Sequence, residues 1–291
     1  MQVFFKTDIG NYRLSNQDDC KVGAFTDDEV WAVVCDGMGG HNGGNIASSM
    51  ATSEIEKVIT NGCEIEGDDE EESFKFEGYH SDMTEEELED LLNVAVQKAN
   101  YEVYLKSRES SELYGMGTTV EIAFIRGNNV YLAHAGDSRV YLANHDKITQ
   151  LTKDHSVVQQ MVDAGKITAE EAKVHPQKNL ITRALGVESD LEVDFIKTER
   201  FEEGSTLVMC SDGLSNYFAD EELLAIINTT SIDMLADTFI ANALARGGDD
   251  NITVVIISNR ENEAPDALED VQPEEESEQP SETEETPADS E

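Results

Sequence analysis

The sequence predicts an α+β fold built from stacked antiparallel sheets flanked by helices. Strand-like and helix-like segments are grouped along the chain more than they alternate, which favours this arrangement over a doubly wound parallel sheet. Residues 118–151 consist of short runs of alternating apolar and polar residues separated by turn formers, as in an antiparallel meander. The chain has 291 residues and is long enough to bury a substantial core.

The remaining elements follow from hydrophobic periodicity and from breaker residues. Gly247-Gly248 marks the end of a helix, because glycine readily adopts the backbone conformation that closes one. Residues 154–188 are polar and helix-prone, with a hairpin-like Ala164-Gly165-Lys166, and they predict a small excursion from the main body. The other predicted elements are helices at 45–59, 85–106, 220–228 and 231–245, and strands at 191–197, 205–211 and 252–257.

Acidic residues dominate the composition, since 62 Asp and Glu against 20 Lys and Arg give a formal net charge of -42. This charge argues against nucleic acid or an anionic membrane surface as the principal partner, because both are polyanions. Residues 261–291 hold 14 acidic and no basic residues, which predicts a disordered tail. Residues 61–90 hold another 14 and indicate an acidic insertion, at about 61–84, between two helices. A halophilic surface is the alternative explanation.

The cysteines and the apolar segments indicate where the protein works. The four cysteines, at positions 20, 35, 63 and 210, show no C-x-x-C spacing, and two fall inside predicted buried strands. This is typical of buried thiols in a reducing compartment. No apolar stretch approaches the roughly 20 residues that span a bilayer, and MQVFFKTDIG at the start shows no signal-peptide pattern. We therefore expect a cytoplasmic protein.

Several apolar strands run into an aspartate, which predicts a metal site. The three clearest are Trp31–Asp36, Tyr131–Asp137 and Thr206–Asp212. Carboxylates gathered at strand ends repel one another unless a cation lies between them. No His or Cys cluster has zinc spacing, so an all-oxygen ligand set indicates Mg²⁺ or Mn²⁺. Two such ions, roughly 4 Å apart, could share a bridging hydroxide that attacks phosphorus in line. The candidate ligands are Asp18, Asp36, Asp137, Asp212 and either Asp249 or Asp250.

The glycine-rich segment Gly37–Gly44 follows the first of these strands. Its G-x-G-x-x-x-G spacing is not a dinucleotide fingerprint, and no Walker Lys-Ser/Thr follows. Glycines here let the backbone, including the Gly37 carbonyl, approach an ion closely. Arg13 is a candidate clamp for a pair of phosphate oxygens, with a surface salt bridge as the alternative. His41 is a candidate acid for a leaving alkoxide, or a loop histidine without a chemical role.

Eight short segments follow one another along the chain in a particular order. They are DIGNYRLSNQD (8–18), VCDGMGGH (34–41), GMGTT (115–119), AGDSR (135–139), LTKDHS (151–156), ITRALG (181–186), CSDG (210–213) and GGDDNIT (247–253). In this order they resemble the motifs of the metal-dependent (type 2C) protein Ser/Thr phosphatases of the bacterial branch. They cover about residues 1–258, and eight motifs in the right order make the resemblance highly specific.

The resemblance implies a particular architecture. The expected fold is a four-layer α-β-β-α sandwich of two antiparallel sheets flanked by helices, with a metal cleft at one edge. Residues 1–260 would form the phosphatase domain, and residues 154–188 would form a small mobile flap beside the cleft. The acidic insertion at about 61–84 and the tail at 261–291 lie outside the family pattern.

The resemblance also assigns roles to individual residues. Gln17 departs from the pattern, because many family members carry Glu there, and one outer charge is therefore missing. The resemblance implies Asp36 as the bridge between two ions and Gly37 as a carbonyl ligand of the second. Asp212 and Asp250 would be ligands of the first ion, Asp18 would act through the metal-bound water shell, and Asp137 with Asp212 would form a third, weaker site. Arg13 would bind the substrate phosphate, and His41 would be the candidate acid.

The function implied by the resemblance is dephosphorylation of phosphoserine and phosphothreonine in proteins. A water or hydroxide bridging two Mg²⁺ or Mn²⁺ ions would attack phosphorus directly, without a phosphoenzyme. Phosphoproteins made by a Ser/Thr protein kinase are the expected partners, in signal transduction, and a monomer is expected. The alternative is a catalytically silent phosphoprotein-binding module on the same fold. A calcium-buffering acidic protein would explain the charge but none of the ordered motifs.

Overall fold

Two facing antiparallel sheets form the centre of the molecule. The computed structural model describes residues 1–39, 43–66, 73–198 and 200–260. The first sheet contains, in spatial order, β1 (Gln2–Asp8), β13 (Ile252–Ser258), β12 (Thr206–Cys210), β9 (Arg139–Ala143) and β10 (Ile148–Gln150). The second contains β11 (Asp194–Thr198), β8 (Asn129–Ala135), β7 (Val120–Arg126), β3 (Glu29–Met38) and β2 (Asp18–Thr26), with the short β6 (Gly117–Thr118) beside the end of β3.

Alternation along β3 shows how the layers form, because successive side chains of a strand point to opposite faces. Trp31 and Val33 belong to the core under the helices. Ala32 and Val34 instead pack between the two sheets. All of these side chains are almost fully buried. A strand covered on both faces reads as a continuous apolar run, which is why the segment before Asp36 shows no polar position.

Helices cover the outer face of each sheet. On the second sheet lie α1 (Gly43–Asn61) and α2 (Glu85–Arg108), and on the first lie α5 (Asp212–Ser215), α6 (Asp220–Thr229) and α7 (Ile232–Arg246). Thr84 begins α2 with a capping box, in which its hydroxyl accepts from the Glu87 N–H and the Glu87 carboxylate accepts from the Thr84 N–H. The predicted four-layer α-β-β-α sandwich is confirmed.

The predicted meander over 118–151 is wrong in one respect. The chain does form antiparallel hairpins there, but β7 and β8 belong to one sheet while β9 and β10 belong to the other. Local alternation predicts each hairpin, yet it carries no information on which sheet a strand joins. The crossing between the sheets is made by the three residues after Ala135, and Gly136 has a φ of +138° there. This crossing carries Asp137 to the edge of the sandwich.

Two excursions leave the sandwich. The acidic insertion contains a small hairpin of β4 (Cys63–Glu66) and β5 (Ser73–Phe76), which the sequence did not indicate. The flap contains α3 (Val157–Asp163) and α4 (Ala169–Lys173). Gly165, with a φ of +66°, follows the C-cap of α3, so the predicted hairpin at this position is instead a helix end. In the part of the chain that is described, no helix is long and apolar enough to cross a membrane.

Three predicted features fall outside the described residues. These are His41, the middle of the acidic insertion at 67–72, and the tail at 261–291.

Candidate metal centre

Asp36 and Asp18 are brought together by strand pairing. Asp18 at the start of β2 is the registered partner of Asp36 on β3, and directly opposed residues of neighbouring strands have their Cβ atoms about 5 Å apart. Asp36 does not end its strand as predicted, because β3 continues to Met38 and Gly37 pairs with Thr118 on β6. The aspartate therefore stands inside a paired strand, where its backbone is fixed on both sides.

Neighbouring threonines hold the backbone of Asp36. Its N–H donates to the Thr119 hydroxyl at 2.9 Å. Its carbonyl accepts from the Thr119 N–H and from the Thr118 hydroxyl, both at 2.9 Å. Thr118 and Thr119, at the end of the Gly115-Met-Gly-Thr-Thr119 segment, thus fix the backbone of Asp36. The sequence alone did not reveal this role.

Asp18 is buried, and within the described part of the chain only one of its two carboxylate oxygens accepts a hydrogen bond. Its Oδ2 accepts from the Ser211 hydroxyl at 2.8 Å, and Ser211 Oγ in turn accepts from the Thr253 N–H at 3.0 Å. Its Oδ1 has no hydrogen-bond partner among the described residues. Burial, together with the negative charges of Asp212 and Asp250, raises the pKa of Asp18 to about 7. A buried carboxylate oxygen without a donor is where a cation is expected.

Asp212 begins α5, two residues after β12 ends. Its Oδ2 accepts from the Asn216 side-chain amide at 3.1 Å, while its Oδ1 is buried without a partner in the described structure. Burial, and next the charge of Asp250, raises the pKa of Asp212. A Cβ built on the next residue, Gly213, would collide with the Asn251 carbonyl oxygen. Glycine at this position therefore lets the start of α5 lie against the segment that carries Asp250.

Asp250 and Arg13 form an ion pair at the mouth of the site. The Arg13 guanidinium lies 2.5 Å from Asp250 Oδ2, and nearly half of the Arg13 side chain is exposed. Asp250 Oδ1 also accepts from the Asn251 N–H at 2.8 Å. Asp249, the alternative ligand, is exposed, and its N–H donates to the Tyr217 hydroxyl. The structure therefore turns Asp250, and not Asp249, towards the other carboxylates.

Asp36 lies at the centre of the carboxylate group. Burial raises its pKa well above the usual range, and Asp18, Asp212, Asp137 and Asp250 add to that shift through their charges. Asp137 lies in the crossing between the sheets and is one of the charges that raise the pKa of Asp36. Burial and the charge of Asp212 raise the pKa of Asp137 to about 8. The five predicted carboxylates are thus gathered at one edge of the sandwich.

This donor set fits a hard divalent cation. It consists of carboxylate oxygens and backbone carbonyls, which Mg²⁺ and Mn²⁺ prefer. Two buried carboxylate oxygens without donors, on Asp18 and Asp212, are consistent with such an ion. As the side chains stand, no three His, Cys, Asp or Glu groups of the described ranges converge into a ready ligand cage. The ion pair of Asp250 with Arg13 is one contact that metal binding would replace.

Gly37 and Gly44 allow the start of α1 to approach β3. A Cβ on Gly37 would collide with the Gly44 carbonyl oxygen, and the Gly37 N–H donates to the Gln17 carbonyl at 3.0 Å. The Gln17 side chain lies against Gly44 and donates to the Gly39 carbonyl at 3.5 Å. The glycines are therefore required by close backbone packing beside Asp36. The predicted approach of the Gly37 carbonyl to an ion stays a prediction.

Asn251 was not singled out from the sequence, yet it organises the loop that carries Arg13. It is buried, and its side-chain amide donates to the Ile9 carbonyl at 2.9 Å and to the Ser15 carbonyl at 3.0 Å. Its Oδ1 accepts from the Gln17 N–H at 2.8 Å. One side chain thus fixes both ends of the Arg13 loop. An asparagine next to a predicted ligand was the only signal, and asparagine in a turn is common.

The metal-free protein is expected to lose stability as the pH rises. The pKa values of Asp18 and Asp137 are raised from 3.8 to about 7 and about 8, so the folded state holds protons that the unfolded chain releases. Stability is therefore greatest below pH 4 as far as these groups are concerned, and falls between about pH 4 and pH 8. Melting temperatures measured in EDTA across this range test the prediction. The Asp18→Asn variant should show a shallower fall; equal slopes would contradict it.

Comparison with known proteins agrees with the fold. The model of the family described as Protein phosphatase 2C matches residues 12–246. The serine/threonine phosphatase stp of Listeria innocua is 37% identical over 258 residues, which are 88% of this chain and 95% of that protein. The chain therefore belongs to the protein phosphatase 2C family.

Solved structures give the same result. The serine/threonine phosphatase of S. agalactiae superposes with a TM-score of 0.77 at 33% identity, covering 88% of this chain and 98% of that one. The catalytic domain of the protein phosphatase PstP, solved in complex with 2 manganese ions, superposes with a TM-score of 0.71 at 32% identity. It covers 88% of this chain and 96% of that one.

Proposed function

We propose that this protein is a protein phosphatase that removes phosphate from phosphoserine and phosphothreonine with the help of Mg²⁺ or Mn²⁺. The observation that carries the proposal is the gathering of five aspartates, two of them with buried oxygens that lack donors, at one edge of a type 2C sandwich. The named relatives are serine/threonine phosphatases, which supports the same activity here. The full set of predicted carboxylates argues against a silent binding module.

The aspartates would have different roles in binding the ions. We assign Asp36 to both ions, Asp212 and Asp250 to one of them, and the Gly37 carbonyl to the other. Asp18 would act through the water around the ions, and Asp137 with Asp212 would hold a third ion more weakly. When bound, the ions supply an activated water as nucleophile and neutralise charge on the phosphoryl group.

Arg13 is placed to orient the substrate. Its loop is fixed at both ends by Asn251, and its guanidinium lies beside Asp250 at the rim of the carboxylate group. A planar guanidinium can bond two phosphate oxygens at once. We infer that the phosphate of the substrate would take the place of Asp250 as the partner of Arg13 and would thereby be held beside the carboxylate group.

Replacing Arg13 should weaken substrate binding more than it slows turnover. A phosphate clamp acts on substrate and transition state alike, so its loss mainly raises KM. Arg13→Ala at saturating Mn²⁺ should raise KM about 10- to 100-fold, the loss of a charge-assisted hydrogen bond of about 1.5–3 kcal/mol. Arg13→Lys should lie between, because an ammonium cannot form the bidentate pair. An unchanged KM would make the ion pair with Asp250 the whole role of Arg13.

His41 remains the proposed acid for the leaving alkoxide. This assignment rests on its position in the Val34–His41 motif. We further propose a cytoplasmic enzyme that acts as a monomer on the products of a Ser/Thr protein kinase. The absence of basic clusters in a chain of net charge -42 supports protein substrates over nucleic acid.

Phosphate release from a phosphothreonine peptide tests the proposed function directly. The full chain should release phosphate in the presence of Mn²⁺ and stop when EDTA is added. A silent binding module would bind the peptide without releasing phosphate. A calcium-buffering protein would do neither, so the three readings give three different results.

A further inference from the structure

A buried polar cluster lies between the second sheet and the base of the flap, outside the carboxylate centre. Glu121 on β7 and His134 on β8 are cross-strand partners whose side chains are fully buried and hydrogen-bonded through His134 Nδ1. The ring of His155 stacks on the ring of His134 with the centroids 4.4 Å apart. Buried ionisable groups are costly unless they are paired, so such a cluster calls for an explanation.

The cluster holds the segment through which the chain passes into the flap. The Lys153 carbonyl accepts from His134 Nε2 at 2.8 Å. A carbonyl can only accept, so Nε2 carries a proton, and one further proton lies between His134 and Glu121. The next residue, Asp154, accepts two hydrogen bonds from the Arg139 guanidinium at 2.9 and 2.8 Å. Two successive residues are thus fixed to β8 and β9.

His155, the third residue of this segment, is bonded to the crossing between the sheets. Its N–H donates to the Gly136 carbonyl at 2.6 Å, and its Nδ1 accepts from the Gly136 N–H at 3.2 Å. Nδ1 is therefore unprotonated, and Nε2 faces both Asp194 Oδ2 at 3.3 Å and the Arg183 guanidinium at 3.1 Å. Burial lowers the pKa of His155, in agreement with a neutral ring. Gly136 directly precedes Asp137, so His155 is hydrogen-bonded to the backbone beside that carboxylate.

The same crossing is tied to the centre of the site. Ser138, on the other side of Asp137, shares a hydrogen bond of 2.9 Å with the Thr119 hydroxyl. Thr119 in turn accepts from the Asp36 N–H at 2.9 Å. The segment that leaves the flap is also held, because the Thr182 N–H donates to the His155 carbonyl at 2.7 Å. Hydrogen bonds at both ends of the Gly136–Ser138 turn therefore join the base of the flap to the carboxylate centre.

We propose that His155 is a positioning residue that fixes the Gly136–Asp137 turn to the base of the flap and so holds the Asp137 carboxylate where it binds a metal ion. The two ring nitrogens have separate tasks. Nδ1 fixes the turn through the Gly136 N–H, whereas Nε2 anchors the ring to Asp194 on β11. The inference rests on the proposed function, in which Asp137 is a metal ligand.

Two substitutions separate these tasks. The side-chain oxygen of His155→Asn can take the place of Nδ1, and the longer amide of His155→Gln can take the place of Nε2. Binding of the third, weaker Mn²⁺ ion, measured by calorimetry on the full chain, should be about tenfold weaker in His155→Gln, the usual loss when a partner of a metal ligand is removed, and close to wild type in His155→Asn. Melting temperatures in EDTA report the loss of ring packing, which both variants share.

Two further variants sharpen the test. His145→Ala removes a histidine whose side chain is 92% exposed and should leave Mn²⁺ binding unchanged. In the double variant of His155→Gln with Asp137→Ala, Mn²⁺ binding should be no weaker than in Asp137→Ala alone, because His155 acts through Asp137.

The results that overturn the inference are specific. Equal Mn²⁺ affinity in His155→Asn and His155→Gln, or additive losses in the double variant, would show that His155 only packs the flap base. A wild-type chain that neither binds Mn²⁺ nor releases phosphate would overturn the proposed function as well. A wild-type chain that does both, with unchanged binding in the His155 variants, would overturn this inference alone.

Discussion

The Asp36→Asn variant is expected to be folded, and as stable as the wild type or more so in EDTA, while losing about 10³-fold in kcat. Burial, and next the charges of the other four aspartates, raise the pKa of Asp36, so in the absence of metal its charged form is unfavourable. Asparagine keeps the shape and removes the charge. Loss of a shared metal ligand removes several kcal/mol of transition-state stabilisation, and about 4 kcal/mol corresponds to 10³-fold.

A matched variant controls for the change of charge. Asp146→Asn removes one carboxylate whose side chain is 91% exposed, in the turn between β9 and β10. It should leave kcat and the melting temperature unchanged. Asp36→Asn with a kcat near that of Asp146→Asn at saturating Mn²⁺ would show that Asp36 is not a ligand. A large fall in its melting temperature in EDTA would instead show a structural role.

The Asn251→Ala variant is expected to lose both stability and activity. The substitution leaves the Ile9 and Ser15 carbonyls and the Gln17 N–H without their partner. Leaving buried groups unpaired costs about 1–3 kcal/mol each, so about 3 kcal/mol in total and a fall of about 10 °C in melting temperature are expected. The activity should fall up to about 100-fold, because the loop that carries Arg13 depends on this side chain at both ends.

Asn242→Ala is the control for this prediction. Asn242 is a partly buried asparagine on α7 whose amide donates to the Thr238 carbonyl at 2.8 Å within the same helix. Its removal should change the melting temperature by only a few degrees and leave the kinetics unaltered. If Asn251→Ala behaved like Asn242→Ala, the Arg13 loop would not depend on the asparagine.

Much of the fold follows from local pattern. Strands buried on both faces read as apolar runs, and α2 begins at a capping box, so these elements are visible in the sequence. The assignment of β8 and β9 to different sheets is not, because it depends on the turn at Gly136 and on contacts far apart in the chain. The hairpin in the acidic insertion was missed because each of its strands has only four residues and the two flank an acidic run.

The candidate site was predictable to a similar extent. Aspartates that follow apolar runs stand out, and the structure brings Asp18 and Asp36 together as registered partners. The side chains that support them do not stand out. Ser211 and Asn251 are small polar residues of ordinary type, and only the fold shows that they bond Asp18 and the ends of the Arg13 loop. His155 lies in one of the motifs seen in the sequence, but its hydrogen bonds to Gly136 could be recognised only from the structure.

A calorimetric titration with Mn²⁺ shows whether the aspartates at the edge of the sandwich form one metal centre. Wild type, Asp36→Asn and Asp146→Asn all keep the acidic tail, so weak binding to the tail is common to the three. We expect saturable binding of two ions or more to wild type and to Asp146→Asn, with the tight phase absent from Asp36→Asn. A tight phase of equal affinity in Asp36→Asn would show that the aspartates do not act as one centre.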